Sequence, residues 1–414
     1  MTFKKTVILE IIKTILIMSE FTQHQKARIS MLEELSQALM KKEKVGVLYK
    51  KYASQIDKLI PADIIGAVDS LMQQDLDLQE LKMAINKLLN LVFKPINDFK
   101  PSQPQPKTLL WYLVENNHVA AKLLNDAGVF LKQINKENSD AIAKKLQVAY
   151  QDILPFTQVY TIKENILFPA LEKHWDDYRC VQLMWAFHDD IRNDLKTIID
   201  LLKSKDRDLM KINRMAGDIS FRIMAIKFRD EKILYPQILD TIKESILHKL
   251  LEESADLDFP FVKPDKTDFT IPDTQMGQDK VDLGTGSILP EQIKLIFNHL
   301  PVDLTYVDEH NKVQYYSTPK HRIFPRTNAV LGRDVHNCHP PDSVHIVEKI
   351  VEAFRDGSKD KASFWIHMGP HFVLIQYFAV RTKEGVFKGT LEVSQEIGEI
   401  QSLTGDQRLL DWGE

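Results

Sequence analysis

The sequence predicts two all-α domains followed by an α+β domain. Its 414 residues correspond to two or three domains, at roughly 150 residues for each domain. From residue 27 to residue 253, apolar residues recur every three or four positions, which is the period of helices that pack on one side. After Gly284, short alternating runs separated by turn residues predict strands. The 15 glycines are too few for a turn-rich all-β chain.

Composition excludes several classes of protein. The 54 Lys and Arg residues nearly balance the 58 Asp and Glu residues, for a net charge of −4. A dedicated nucleic-acid binder needs a concentrated basic surface, so none is expected here. The two cysteines, Cys180 and Cys338, are far apart in sequence, which leaves no disulfide framework and no cysteine-built zinc site. A reducing cytoplasm is therefore the expected location.

The first residues form a separate segment, and we expect residues 1–21 to be an extension outside the fold. Residues 1–18 combine basic residues with an apolar run that Glu10 and Lys13 interrupt. This run is too short and too charged for a membrane-spanning helix of about 20 apolar residues. Met18 is an alternative natural start. The other interpretation is an amphipathic helix in peripheral contact with the plasma membrane.

Proline-rich and polar segments mark the domain boundaries. Three prolines within six residues stiffen the segment after Ile96, and prolines in the acidic stretch after Glu253 forbid a long helix there. The predicted organisation is an extension at 1–21, a small helical domain at 22–96, a linker at 97–107, a bundle of long helices at 108–253, a linker at 254–284, an α+β domain at 285–400 and a tail at 401–414.

A seven-residue repeat organises the second helical domain. Lys163–Pro169 reads KENILFP and Asp230–Pro236 reads DEKILYP, and each proline is expected to end a long helix. The two copies predict a bundle of four long helices. The apolar stripe of each helix carries one polar residue, so four polar side chains are expected in one core: Asn116, Lys163, His188 and Asp230.

The segments KENILFP, MWAFHDDIR and DEKILYP resemble the hemerythrin-like HHE cation-binding domain, in the variant fused to other domains in bacterial proteins. The resemblance implies an antiparallel four-helix bundle whose metal site is built from histidines and carboxylates. The positions that match the family's ligands are Asn116, Val159, Lys163, His188, Ile226 and Asp230. Only His188 and Asp230 have side chains suited to iron, so iron is disfavoured in this bundle.

Lys163 decides what we expect of this core. An ammonium group in the place of a carboxylate ligand repels a metal cation, and a buried lysine is costly unless an anion pairs with it. We therefore predict a metal-free core with a Lys163–Asp230 ion pair, in which His188 and Asn116 are hydrogen-bond partners. Two alternatives stay open. One is that these side chains are solvated. The other is a shifted metal site, built from His188, Glu164, Asp230 and Glu231.

The C-terminal region alternates helices and strands. Helices are predicted at Pro290–Leu300 and Asp342–Phe354, and strands at Val302–Val307, Val313–Tyr316, Phe364–Ile366, Phe372–Val380 and Gly389–Val393. The segments VDLTYVDEHNKVQYYS and LGRDVHNCHPP, with the three β-runs that follow, resemble a PAS domain over residues 285–400. The resemblance implies a five-stranded antiparallel sheet with helices over one face, which holds a small-molecule pocket or a dimer surface.

The pair Cys338 and His339 is the candidate ligand or redox site of this domain. Eight of the 13 histidines lie between His299 and His371, a density that suggests heme or metal. A thiolate and an imidazole are both accepted axial ligands of heme iron. The alternatives are a redox-sensing thiol and a turn in which the two prolines that follow lead into a helix.

The N-terminal pattern RISMLEELSQAL, followed by VGVLYKKYASQIDKLIPADI, resembles a domain of unknown function that commonly precedes HHE domains. The three resemblances indicate a cytoplasmic sensor or regulator. No catalysis of its own is expected, because no nucleophile–base pair and no phosphate-binding loop is found. Its output would then pass through a protein partner, or through self-association of the PAS domain and the N-terminal helices. The alternatives are an iron-binding protein that handles or senses oxygen, nitric oxide or redox state, and an interaction scaffold.

Overall fold

The structure of the chain is a computed structural model. It describes residues 23–255, 257–265 and 279–405. Two compact units divide the chain, the helical unit at Met1–Phe269 and the C-terminal unit at Thr270–Glu414. The extension predicted at residues 1–21, with its membrane contact, lies outside the described residues. No described helix is long and apolar enough to cross a bilayer.

Among its described residues, the helical unit has six α-helices up to residue 98 and eight more after it. The first six are α1 (23–40), α2 Gly46–Lys51, α3 Ala53–Ile56, α4 Pro61–Met72, α5 Leu78–Leu91 and α6 Phe93–Asp98. The others are α7 Leu109–Ile134, α8 Asp140–Ile153, α9 Thr157–Ile162, α10 Phe168–His174, α11 Cys180–Lys203, α12 Leu209–Arg229, α13 Tyr235–Thr241 and α14 Glu244–Glu253.

The long helices pack around one hydrophobic core. Helix α7 contacts α8 and α12, and α11 contacts the same two helices. The buried apolar residues form one continuous cluster from Met31 to Phe259. The small helical domain predicted at residues 22–96 therefore shares its core with the long helices, and α4 packs directly on α11.

Neither copy of the repeat ends its helix, contrary to the sequence prediction. Lys163–Leu167 and Asp230–Leu234 are single π-helical turns, and α10 and α13 continue directly after them. Proline lacks the N–H that an α-helix bonds to the carbonyl four residues earlier. In a π turn the backbone hydrogen bonds span five residues instead of four. Pro169 and Pro236 therefore lie in the first turn of the helix that follows, where a proline is tolerated.

The C-terminal unit contains a five-stranded antiparallel sheet in the order β4–β3–β7–β6–β5. Its strands are β3 Asp303–Asp308, β4 Val313–Tyr316, β5 Lys361–Met368, β6 His371–Arg381 and β7 Phe387–Glu396, and a short hairpin of β1 Val281–Asp282 and β2 Ser287–Ile288 precedes them. The helices are α15 Pro290–His299, α16 Pro341–Arg355 and α17 Gly398–Ser402. Strands β5, β6 and β7 are longer than their apolar runs, because cross-strand hydrogen bonds do not depend on side-chain polarity.

Candidate functional site

Lys163 and Asp230 form an ion pair inside the helical unit. The Nζ atom of Lys163 lies 2.6 Å from Oδ1 of Asp230, and neither side chain is exposed to solvent. Each residue is the first of one π turn, so the repeat places the cation opposite the anion. A charge-assisted hydrogen bond at this distance offsets part of the cost of burying both groups.

His188 has a polar partner at each ring nitrogen and stacks with two aromatic rings. Its Nε2 lies 3.3 Å from Nζ of Lys163, and its Nδ1 lies 2.8 Å from Oε1 of Glu164. The rings of Tyr160 and Phe168 stack on it, with centroids 4.1 and 5.8 Å away. Because an ammonium group only donates, Nε2 accepts from Lys163 and Nδ1 donates to the carboxylate. A neutral imidazole satisfies both contacts.

The contacts continue from His188 toward the surface. Arg192 donates to Glu164 through Nη1 at 2.9 Å and through Nη2 at 2.7 Å, and it also donates to Asp189. The side chains of Arg192 and Asp189 are 21% and 32% exposed. The connected residues, which we call the buried charge chain, are Asp230, Lys163, His188, Glu164 and Arg192. The buried charge chain leads from the core to the solvent, and each of its side chains contacts the next one.

Burial controls protonation along the buried charge chain. It lowers the pKa of Lys163, against the opposing effect of the Asp230 carboxylate. Burial, and then the charges of Lys163 and Arg192, lower the pKa of His188 well below its ordinary value. Burial raises the pKa of Glu164 to about 7, against the opposing effect of the Arg192 guanidinium. At neutral pH His188 is therefore uncharged, and Glu164 titrates close to neutrality.

Asn116 does not join this chain, which corrects the expectation that it is a hydrogen-bond partner of the ion pair. Its Oδ1 accepts from the backbone N–H groups of Phe261 and Val262 at 3.0 and 3.1 Å. Its Nδ2 donates to the carbonyl oxygens of Val262 and Tyr112 at 2.9 and 2.8 Å. The segment after α14 folds back onto α7, with Phe259 buried. Its backbone groups need partners, and the Asn116 amide provides them.

The contacts of this core do not suit a metal ion. The carboxylate of Glu231 pairs with Lys227 and contacts Asn117, so it does not converge with His188, Glu164 and Asp230. Among the described residues, no three His, Cys, Asp or Glu side chains are grouped to hold a metal ion. The ammonium group of Lys163 contacts Oδ1 of Asp230 and Nε2 of His188, and a cation at this position repels a metal ion that would bind these two side chains.

Cys338 and His339 lie where β4 leads toward α16. Cys338 ends a short 3-10 turn, and its Sγ lies 3.5 Å from the carbonyl oxygen of Asp334. Burial, and then the charge of Arg326, lower the pKa of His339 to about 4. The neutral imidazole keeps a lone pair, but the guanidinium beside it disfavours a metal cation. A ligand or redox role for the pair stays a prediction.

Sequence reasoning missed Arg192 of the buried charge chain and named Glu164 only in the alternative metal site. Arg192 was absent from the predicted core, although it follows His188 by four positions and therefore lies on the same helix face. The burial of Glu164 beside Lys163 was missed in the ion-pair interpretation, because neighbouring residues of an α-helix point in different directions. The π turn that begins at Lys163 accommodates both side chains in the interior.

The sheet of the C-terminal unit has an apolar outer face. Val307 belongs to a buried cluster against which Val347 of α16 packs, and this identifies the inner face. Because side chains alternate along a strand, Tyr306 points to the other face, and the register aligns Leu391 and Phe378 with it. Trp365 of the edge strand β5 shares this outer face. It is 64% exposed, which is unusual for so large an apolar side chain.

Known proteins resemble the C-terminal unit. A family model described as a PAS domain matches residues 293–398. The C-terminal domain of a Streptococcus mutans protein is 36% identical over 30% of this chain and 98% of that chain, with a TM-score of 0.29. The PAS domain of a Colwellia psychrerythraea protein is 12% identical over 26% of this chain and 97% of that chain, with a TM-score of 0.22. No curated protein matches the chain.

Proposed function

Residues 293–398 are a PAS domain, and from this premise we propose that the chain is a cytoplasmic sensory or regulatory protein. In this proposal the helical unit contains a degenerate hemerythrin-like bundle, which holds an ion pair in place of iron. The helices at residues 22–96 form the domain of unknown function that precedes it. The chain has no catalysis of its own and acts through a partner or through its oligomeric state.

The contact between Lys163 and Asp230 carries the proposal. Both residues occupy positions that match ligands of the hemerythrin-like family, and they bind each other. The positions that match the family's paired histidines hold Val159 and Ile226, which are fully buried and apolar. A site with one imidazole and one carboxylate, both bound to an ammonium group, lacks the donor set for a di-iron centre. These contacts support an architectural role for the bundle core.

Metal content tests the proposal. We expect the full-length chain, expressed with added iron and purified without chelators, to contain far less than one iron per chain and to be colourless in the visible range. Stoichiometric iron with a visible absorption band would overturn the degenerate bundle. It would favour the alternative, an iron-binding protein that handles or senses oxygen, nitric oxide or redox state.

A variant with restored ligands tests whether the bundle is hemerythrin-like. It carries Asn116→His, Val159→His, Lys163→Glu and Ile226→His, and it keeps His188 and Asp230. We expect this variant to acquire iron, because these changes supply imidazoles and a carboxylate where the family has them. A folded variant that still binds no iron would argue against the hemerythrin-like interpretation. Circular dichroism of the same sample establishes whether the variant is folded.

The PAS domain supports a regulatory output by association. PAS domains commonly mediate protein interaction or dimerisation. In this chain the outer face of the sheet carries exposed Trp365, which the strand register places opposite half-buried Leu374. Large exposed apolar side chains mark interaction surfaces. We therefore propose that this face contributes to self-association. The alternative to a sensory protein is an interaction scaffold whose PAS domain senses no ligand.

A further inference from the structure

A second feature of the helical unit lies beside the buried charge chain, since Phe187 and Arg229 directly precede His188 and Asp230 in sequence. A cavity of about 50 Å³ opens between α4, α5, α11 and the π turn that follows α12. One water molecule needs about 10–15 Å³ on a comparable measure. The cavity therefore accommodates a guest of about four non-hydrogen atoms. Its walls come from the helices of residues 22–96 and from the long helices together.

The wall of this cavity carries one charge. Eleven of its twelve lining residues are uncharged, and the other is Arg229. The uncharged lining residues include Ile65 and Val68 of α4 and Leu183 and Met184 of α11. An apolar wall with a single cation selects a guest that has an anionic end and an aliphatic end.

Arg229 has unused hydrogen-bonding capacity at this wall. Its residue is 6% exposed, and its Nε is buried without a hydrogen-bond partner. Its Nη2 donates to Oδ1 of Asn86 at 2.5 Å, and its guanidinium lies 4.3 Å from the ring centroid of Phe187. Among the described residues, no carboxylate lies within 4 Å of the guanidinium.

Electrostatics favour an anion at this position. A buried cation without a counter-ion in contact is costly. Burial lowers the pKa of Arg229 to about 10, and the more distant Asp230 only partly opposes this effect. A carboxylate is the anion whose planar geometry matches the guanidinium fork.

We propose that this cavity binds a short-chain aliphatic carboxylate of about the size of acetate, with the carboxylate on Arg229 and the alkyl group against the apolar wall. No residue of this site belongs to the PAS domain or to the buried charge chain, so the inference goes beyond the proposed regulatory role. A guest would contact helices from both parts of the helical unit.

Methyl NMR of the full-length chain tests this site. The chain is labelled with ¹³C at its methionine methyl groups and titrated with sodium acetate, against sodium chloride at equal ionic strength. We expect a saturable shift of the Met184 resonance with acetate and none with chloride. Met210, which is 83% exposed, should not move. Hexanoate, whose tail exceeds the cavity, should bind more weakly than acetate.

Two variants separate the roles of charge and space. Arg229→Leu should weaken acetate binding at least roughly tenfold, because the partner of the carboxylate is lost. Val68→Phe should fill the cavity and abolish the shift while Arg229 remains, which keeps the test decisive if the first variant does not fold. Arg222→Leu, on the same helix with its ion pair to Asp194, is the matched control and should bind acetate normally. An equal shift with chloride, no saturable shift at Met184, or acetate binding that survives both cavity variants would overturn the proposal.

Discussion

Lys163 and Asp230 begin the two copies of the repeat, and their side chains meet at 2.6 Å in the core. The ion pair therefore joins the two π turns to each other. Each copy of the repeat places its first residue in the core, and the ion pair forms only when the two helices pack together. A buried pair of this kind contributes specificity to the packing, and loss of one partner is costly.

The Lys163→Met variant tests the energy of this pair. Removal of the ammonium group leaves the Asp230 carboxylate buried without its partner, so we expect the free energy of unfolding to fall by about 3–5 kcal/mol. The double variant Lys163→Met/Asp230→Leu should recover much of this loss, because no charge remains buried. Urea unfolding followed by circular dichroism measures both. Lys203→Met, which removes an exposed ion pair, should cost less than about 1 kcal/mol, and an equal cost for both single variants would contradict the prediction.

The pH dependence of stability tests the protonation of His188. Its pKa in the folded chain is well below the ordinary value, so below about pH 6.5 the unfolded chain binds a proton that the folded chain does not. The effect of His188 is therefore to lower the free energy of unfolding as the pH falls, by about 1.4 kcal/mol for each pH unit. Glu164 acts in the opposite direction between about pH 7 and its ordinary pKa near 4.5, because its raised pKa lets the folded chain bind the extra proton.

Comparison of the wild type with His188→Gln isolates the histidine from this opposing effect. As the pH is lowered from 7.5 to 5, the free energy of unfolding of the wild type should fall relative to that of the variant. Unfolding curves at each pH provide the measurement. A difference that stays constant over this range would show that His188 has an ordinary pKa in the folded chain.

The contacts of Asn116 predict how firmly the segment after α14 is held. Asn116→Ala removes the acceptor of the Phe261 and Val262 N–H groups and the donor to the Val262 carbonyl. At about 0.5–1.5 kcal/mol for each hydrogen bond, local opening should become roughly tenfold or more frequent. Chymotrypsin cleavage after Phe261 measures this opening. Asn135→Ala, which removes exposed contacts at the C-cap of the same helix, is the control, and equal cleavage rates for both variants would refute the assignment.

Trp365→Arg tests the outer face of the PAS sheet as an association surface. If the full-length chain self-associates through this face, a charge at its most exposed aromatic residue should weaken association at least tenfold, at about 1.4 kcal/mol for each tenfold step. Light scattering coupled to size exclusion measures the mass. Val386→Arg changes a residue of similar exposure at the turn before β7 and should have no effect. A wild-type chain that is monomeric at all accessible concentrations would remove the basis of this prediction.

Local patterns were sufficient to predict several features of this chain. The alternation of apolar residues located all five strands of the sheet, because a strand that is buried on one face must alternate. The repeat and the apolar stripes placed Lys163, His188 and Asp230 in one interior, since helical periodicity determines which positions face a core. These inferences depend on residues that are close together in sequence.

The tertiary structure decided the features that depend on distant residues. Asn116 lies on the predicted stripe, yet its partners are backbone groups about 145 positions later, and periodicity contains no information about such a contact. The π turns were not predicted, because the helix continues through prolines that locally favour its end. The cavity beside Arg229 exists only where helices from two parts of the chain leave space between them. Sequence determined which side chains face inward, and packing determined which partners they meet there, because hydrogen bonds and cavities form between surfaces that the chain brings together only on folding.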